Sequence, residues 1–111
     1  RAVLRRSVPE TTTRLEAGDL SLDLIGRKAY RSEQELRLSH KEFDLLAALI
    51  RNTGTALSRE RLLQQVWGYD YPGDTRTVDV HIRWLREKIE EDAAEPKRIM
   101  TVRGVGYRFE Q

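Results

Sequence analysis

The spacing of apolar residues changes twice along this chain, and that change restricts the fold more than any other feature. Between Leu15 and Leu38 the period is two: Leu20, Leu22 and Leu24 alternate with Ser21 and Asp23, and Leu36 and Leu38 flank Arg37. From Phe43 to Ile89 the steps are three and four residues, and from Met100 to Phe109 the period is two again. Strict alternation belongs to strands with one covered face, and steps of three and four belong to amphipathic helices. Strands, then helices, then strands make an α+β domain with segregated elements.

Turn and cap residues divide these regions. Gly18-Asp19, Gly26-Arg27 and the stretch from Ser32 to Gln34 break the first region into an antiparallel meander of three or four strands. Ser39 with Glu42 three residues on forms a capping box, and opens a helix whose face holds Phe43, Leu46, Ala47 and Ile50, widened by Leu45 and Leu49. Gly54 is placed to stop it. Ser58 is an N-cap for a second helix carrying Leu62, Leu63, Val66 and Trp67, stopped by Gly68. After the loop Gly68-Tyr69-Asp70-Tyr71-Pro72-Gly73-Asp74, either Asp74 or Thr75 can cap a third helix running to about Asp92, with Pro96 beyond its end. In RIMTVRGVGYRFE, Met100 and Val102 alternate, then Tyr107 and Phe109, with Gly104 and Gly106 between the halves, which predicts a C-terminal hairpin. Three helices followed by a hairpin suggest a winged helix-turn-helix, in which the third helix enters a DNA groove.

A chain of 111 residues accommodates one core, not comfortably two. It contains no cysteine, which excludes a disulfide scaffold and any thiolate zinc site. No apolar run approaches the roughly 20 residues of a membrane span, and no signal peptide is visible. The net charge of +2 is too small to announce a nucleic-acid partner by itself. Acids gather at Glu90, Glu91, Asp92 and Glu95, a pattern that reads as solvated surface. The chain starts at Arg1, with RAVLRRS resembling the last turns of a helix and VPETTTR a polar connector. Residues 1–14 are therefore expected to be a linker from a longer protein, and residues 15–111 the folded domain.

The third helix has two incompatible apolar sets. At about 100° per residue, Ile82, Leu85 and Ile89 fall within about 40° of Val78 and form a core stripe. The opposite arc holds Arg76, Thr77, Val80, Arg83, Trp84 and Glu87, with Asp79 and Arg86 on one shoulder and His81 on the other. An ordinary solvated face accounts for the arginines and Glu87, but less well for Val80 and Trp84. Two readings of Trp84 remain open here: it covers the inner side of the hairpin, or it belongs to a binding face. For DNA the residue types make chemical sense. Arg76 and Arg83 reach phosphate or the O6/N7 edge of guanine, and Val80 suits a thymine methyl group. Thr77, near the first free N–H groups of the helix, suits phosphate. Arg103 in the hairpin suits the negative potential of a minor groove.

RTVDVHIRWLREKIE followed by TVRGVGYRF resembles the C-terminal effector domain of OmpR/PhoB-type response regulators. The likeness extends upstream through LSHKEFDLLAALIRNTGTALSRERLLQQVWG and covers about residues 15–110, while RAVLRRS is similar to the end of that family's receiver domain. The resemblance implies a four-stranded antiparallel sheet, a three-helix core and a C-terminal wing. It implies a bacterial cytoplasmic transcription factor whose recognition helix, about residues 75–92, lies in the major groove, with the wing, 98–110, at the minor groove. It also implies a receiver domain outside this chain, phosphorylated by a sensor histidine kinase. Two effector domains, each a monomer alone, would then occupy direct-repeat half-sites in tandem.

By the same resemblance, His81 is a phosphate contact or simply packs beside the core stripe. Arg86 approaches DNA or forms a surface salt bridge with Glu87 or Glu90. Thr101 and Arg103 match wing positions at the backbone and minor groove, and Trp67 matches a core tryptophan whose indole N–H meets a phosphate. Gly68 to Asp74 corresponds to a loop that contacts RNA polymerase in relatives, or serves only as a connection. Trp84 departs from relatives that carry arginine there. An indole has one donor and no bidentate fork, so that position is expected to make apolar and sugar-edge contacts and to tolerate the base beneath it.

A winged-helix module that docks a protein through Val80 and Trp84 is the rival reading. An enzyme has little support. The histidines are His40 and His81, without metal-ligand spacing, and there is neither a nucleophile elbow nor a phosphate-cradling glycine loop. No cofactor, metal or catalytic residue is expected.

Overall fold

A computed structural model describes residues 13–110. Four strands, β1 (Arg14–Ala17), β2 (Leu20–Asp23), β3 (Lys28–Arg31) and β4 (Gln34–Leu36), pair in sequence order as an antiparallel sheet. Three helices follow: α1 (His40–Arg51), α2 (Arg59–Val66) and α3 (Arg76–Ile89). The hairpin strands β6 (Ile99–Val102) and β7 (Gly106–Phe109) close the chain, and a two-residue strand β5 (Leu57–Ser58), just before α2, pairs with β7. The predicted end of a receiver and linker over residues 1–14 lies outside the described residues up to residue 12, and Arg14 already belongs to β1.

Local chemistry accounts for most boundaries. The alternation of Leu20 and Leu22 buries both, but Leu24 leaves the strand pattern. Asp23 turns the chain there, its carboxylate accepting the N–H groups of Ile25 and Gly26 at 3.1 and 3.0 Å. The capping box at α1 is complete: Ser39 Oγ accepts from the Glu42 N–H at 3.2 Å, and Glu42 Oε1 accepts from the Ser39 N–H at 2.9 Å. Helix α1 ends at Arg51 with Asn52 as its cap, two residues before Gly54, whose N–H reaches Phe109 O instead. Ser58 caps α2 through the Arg61 N–H. Gly68, at φ +100°, closes the other end with its N–H on the carbonyls of Leu63 and Gln64.

Helix α3 begins at Arg76, and Asp74 rather than Thr75 supplies the side-chain cap, accepting the Arg76 N–H at 2.9 Å. It ends at Ile89, short of the expected Asp92, because Glu90 turns into extended backbone with its side chain inward. Glu90 corrects the reading of the acidic cluster as solvated surface: it is 6% exposed and accepts backbone N–H groups from Lys97, Arg98 and Ile99. The hairpin also needs a correction of face. Ile99 and Thr101 stand opposite Phe109 and Tyr107, whereas Met100 and Val102 stand opposite Arg108 and Gly106. The core residue of β6 is therefore Ile99, and Met100 and Val102 are half-buried on the other face.

The stripe of α3 is fully enclosed: Val78, Ile82, Leu85 and Ile89 are each at most 1% exposed, packed with Phe43, Leu46, Leu49, Leu62 and Phe109. Gly106 lets β7 reach β5, since a Cβ there would meet Leu57 O at 2.0 Å.

Candidate nucleic-acid interface

The outward side of α3 follows from its inward side. Burying Val78, Ile82, Leu85 and Ile89 turns Arg76, Val80, Arg83 and Trp84 to solvent, with Val80 at 42% and Trp84 at 44% exposure. The arc expected from the helical wheel is present as one surface. Thr77, on its edge, is half-buried and shares a 3.3 Å hydroxyl contact with Tyr71.

Aromatic rings run beneath this surface. Trp84 meets His81 edge to face with centroids 4.9 Å apart, and His81 meets Trp67 the same way at 4.9 Å. Tyr71 lies against Trp67 at 6.2 Å, and Lys41 Nζ sits 6.0 Å from the Trp67 ring. The His81 ring is fixed because Nδ1 donates to the Thr77 carbonyl at 2.8 Å, which directs Nε2 elsewhere. Trp84 is therefore propped edge to face on His81. Trp67, half-buried, packs against the core from its own place at the end of α2.

The arginines divide by what they touch. Arg83 is 81% exposed in its side chain and lies 3.8 Å from Glu87 one turn on. Arg76 is 86% exposed but donates to Asp74 at 2.9 Å, and that bond raises its pKa while lowering that of Asp74. Arg103 is exposed at the tip of the hairpin, beside Gly104 at φ +77°. Arg86 is engaged inside the domain: Nε and Nη2 donate to Ile99 O at 3.1 and 2.8 Å, and Nη2 donates to Thr101 Oγ1 at 2.8 Å. Neither Glu87 nor Glu90 is its partner. Thr101 is thus exposed yet tied to α3.

A second brace joins the same elements and was not foreseen from the sequence. Asp79 Oδ1 accepts from Arg59 Nε at 2.7 Å and from the Tyr107 hydroxyl at 2.6 Å, so α3, α2 and β7 meet at one carboxylate. The guanidinium carbons of Arg59 and Arg86 stand 5.4 and 5.6 Å from the Tyr107 ring centre. Burial, and then the bond to Asp79, push the Tyr107 phenol pKa up. The only sequence signal was the position of Asp79 on a shoulder of α3.

The loop from Gly68 to Asp74 is built onto the helix it precedes. Tyr71 spans Trp67 and Thr77, and Gly73 fits under it because a Cβ there would come within 2.3 Å of the Tyr71 ring. Tyr69, by contrast, is 84% exposed. Among the described residues no group of three or more His, Cys, Asp or Glu is placed to hold a metal ion, and no helix is long and apolar enough to cross a membrane.

The model of the family described as transcriptional regulatory protein, C terminal, matches residues 33–109. The DNA-binding response regulator MtrA of Mycolicibacterium smegmatis is 45% identical over 108 residues, covering 97% of this chain and 47% of the relative. The sensory transduction protein RegX3 of the same organism is 46% identical over 115 residues, covering 99% and 50%. The chain thus spans about half the length of these relatives. Among solved structures, the OmpR/PhoB homologue DrrB of Thermotoga maritima superimposes with a TM-score of 0.83 at 35% identity, over 92% of this chain and 46% of that one. The DNA-binding domain of Klebsiella pneumoniae RstA, solved in complex with the RstA box, gives 0.80 at 36% identity, over 89% and 98%.

Proposed function

The chain belongs to the transcriptional regulatory protein C-terminal family, the winged-helix domain of OmpR/PhoB-type response regulators, and from that premise we propose that it is a sequence-specific, non-enzymatic DNA-binding module. The carrying observation is the outward face of α3, where Arg76, Val80, Arg83 and Trp84 are exposed together opposite a fully buried stripe. In this reading α3 enters the major groove. Arg76 and Arg83 meet phosphate or guanine, and Thr77 meets phosphate at the shoulder, joined by His81 in its doubly protonated form, the one in which Nε2 donates while Nδ1 stays on the Thr77 carbonyl. Arg103 at the wing tip reaches the minor groove, and the Trp67 indole N–H meets the backbone. Arg86 and Asp79 hold the wing at a fixed angle to α3, so the two DNA-facing parts move as one. Thr101 sits where that brace and the DNA backbone come together.

The longer protein supplies the rest of the cycle: a receiver phosphorylated by a sensor histidine kinase in the cytoplasm, which pairs two copies on direct-repeat half-sites. Tethering raises the effective concentration of the second domain and compensates for weak half-site binding. Tyr69 and its loop are the candidate RNA polymerase contact. MtrA, by its name, is a DNA-binding response regulator, and the RstA domain was solved on its DNA box, which supports the assignment.

The test is a selection of bound sequences from random duplex, followed by titration of the recovered duplex and a scrambled one at several salt concentrations. A preference for the recovered duplex, with affinity falling steeply as salt rises, is expected. Equal binding to both duplexes refutes sequence recognition.

A further inference from the structure

We propose that Trp84 and Val80 form a fixed apolar reader for the 5-methyl group of thymine, so that this chain selects its sites partly by methyl groups in the major groove. The inference rests on the reading of α3 as the DNA-facing helix and assigns a specificity to one part of it. Val80 and Trp84 are four residues apart and therefore neighbours on the helix surface. Each is more than two-fifths exposed. Together they make an apolar strip flanked by the cations Arg76 and Arg83, both over four-fifths exposed in their side chains. An apolar strip between solvent-facing arginines complements a polyanion that displays apolar groups in its groove. Of the base edges in the major groove, only thymine among the standard bases presents a methyl.

The prop under Trp84 turns general tolerance into selection. A tryptophan free to rotate would settle on any base edge or sugar. Here the indole rests on His81 at 4.9 Å. His81 is held by the Thr77 carbonyl at 2.8 Å and backed by Trp67 at 4.9 Å. Trp67 in turn packs against the core. The ring is thus positioned before DNA arrives, and little rotamer freedom is lost on binding. Its single N–H cannot reproduce the paired donors that read guanine. What the fixed face offers at the groove floor is dry contact, and a methyl group removed from water strengthens binding about fourfold.

The experiment uses the duplex recovered by selection, prepared with thymine and again with deoxyuridine at every thymine. Base pairing is kept and only the methyl groups are lost. The chain is expected to bind the deoxyuridine form about 4- to 15-fold more weakly, corresponding to one or two methyl contacts. The Val80→Ala/Trp84→Ala double variant, which trims the strip and leaves the buried stripe of α3 intact, is expected to bind both forms within about twofold of each other. Trp84→Phe, which keeps an apolar ring on His81, retains most of the discrimination, and Trp84→Arg, which leaves Val80 as the remaining apolar contact, reduces it to about fourfold or less. Equal binding of the two duplexes by the unaltered chain overturns the proposal while leaving DNA recognition intact. Full discrimination by the double variant overturns it too, because the methyl groups are then read elsewhere. Equal binding of recovered and scrambled duplexes overturns both readings together.

Discussion

The Glu90 carboxylate accepts the backbone N–H of Ile99 at 2.9 Å, and thereby joins the end of α3 to the first residue of the wing. Strand β6 is an edge strand, so the outward backbone groups of Ile99 have no strand to pair with. Side chains from the α3 segment take that place: Glu90 meets the N–H, and Arg86 meets the carbonyl at 2.8 Å. Two side chains of opposite charge thus hold one residue's backbone, and they add to the Asp79–Tyr107 bond that also ties α3 to the hairpin.

Removing that carboxylate exposes the cost of unpaired groups. Glu90→Ala leaves the N–H groups of Lys97, Arg98 and Ile99 without their acceptor in a buried place. The expected loss is about 2–3 kcal/mol, read as a fall in melting temperature of roughly 8–24 °C. Glu91→Ala, in the same acidic run but exposed, is expected to change stability by less than about 0.5 kcal/mol. Equal effects of the two substitutions contradict the buried role of Glu90.

Glu42 gives the domain an acid-sensitive joint. Burial alone would raise its pKa, but Lys88 Nζ at 2.7 Å and the Ser39 N–H at 2.9 Å outweigh burial and lower it. A folded-state pKa below the unfolded one means that the unfolded chain takes up the proton first as pH falls. The stabilisation is therefore full above the unfolded carboxylate pKa of about 4.3 and is lost as pH falls through the folded value. Urea unfolding from pH 7 downward should show Glu42→Gln less stable than the unaltered chain at neutral pH. The difference should close in acid. A difference independent of pH argues against a charged Glu42 in the fold.

Asp74 holds Arg76 at the start of α3. Its carboxylate takes both the Arg76 N–H, at 2.9 Å, and the guanidinium, at 2.9 Å. The first bond starts the helix, and under the proposed reading of α3 the second competes with phosphate. Asp74→Asn keeps an oxygen for the cap but removes the negative charge beside the groove. It is expected to tighten DNA binding about 3- to 10-fold at low salt, with the gain shrinking as salt rises. Unchanged or weaker binding by Asp74→Asn shows that Arg76 does not face phosphate.

The legibility of the sequence differed sharply between local and distant chemistry. The capping box of α1, the Ser58 cap of α2, the α3 stripe and the meander turns were readable because each depends on residues within about four positions of one another. Strand β5 was not: two residues carry no period, and Leu57 and Ser58 are a strand only because Tyr107 and Gly106 lie beside them. The helical wheel set Arg86 on a shoulder, apart from Arg76 and Arg83, but gave no sign that its partner is the distant Ile99 carbonyl rather than Glu87 or Glu90. The chain of rings from Tyr71 through Trp67 and His81 to Trp84 draws on a loop and two helices, so no local spacing announces it. Trp84 was recognisable as out of place, but its prop was not.

Arg86 and Arg103 separate bracing from contact. Arg86 makes charge-assisted bonds to Ile99 O and Thr101 Oγ1, so Arg86→Ala removes the donor from two wing acceptors. A loss of about 1.5–3 kcal/mol in stability is expected. DNA binding should weaken because the wing swings, but the dependence of log affinity on log salt should keep its slope. Arg103 is exposed at the wing tip. Arg103→Ala should therefore leave stability within about 0.5 kcal/mol and reduce the salt slope by about 0.9, the amount for one phosphate contact on duplex DNA. Calorimetric melting together with anisotropy titrations at three or more salt concentrations distinguishes the two arginines. A reduced slope for Arg86→Ala with unchanged stability would make Arg86 a DNA contact, and would mean that the guanidinium leaves Ile99 when DNA binds.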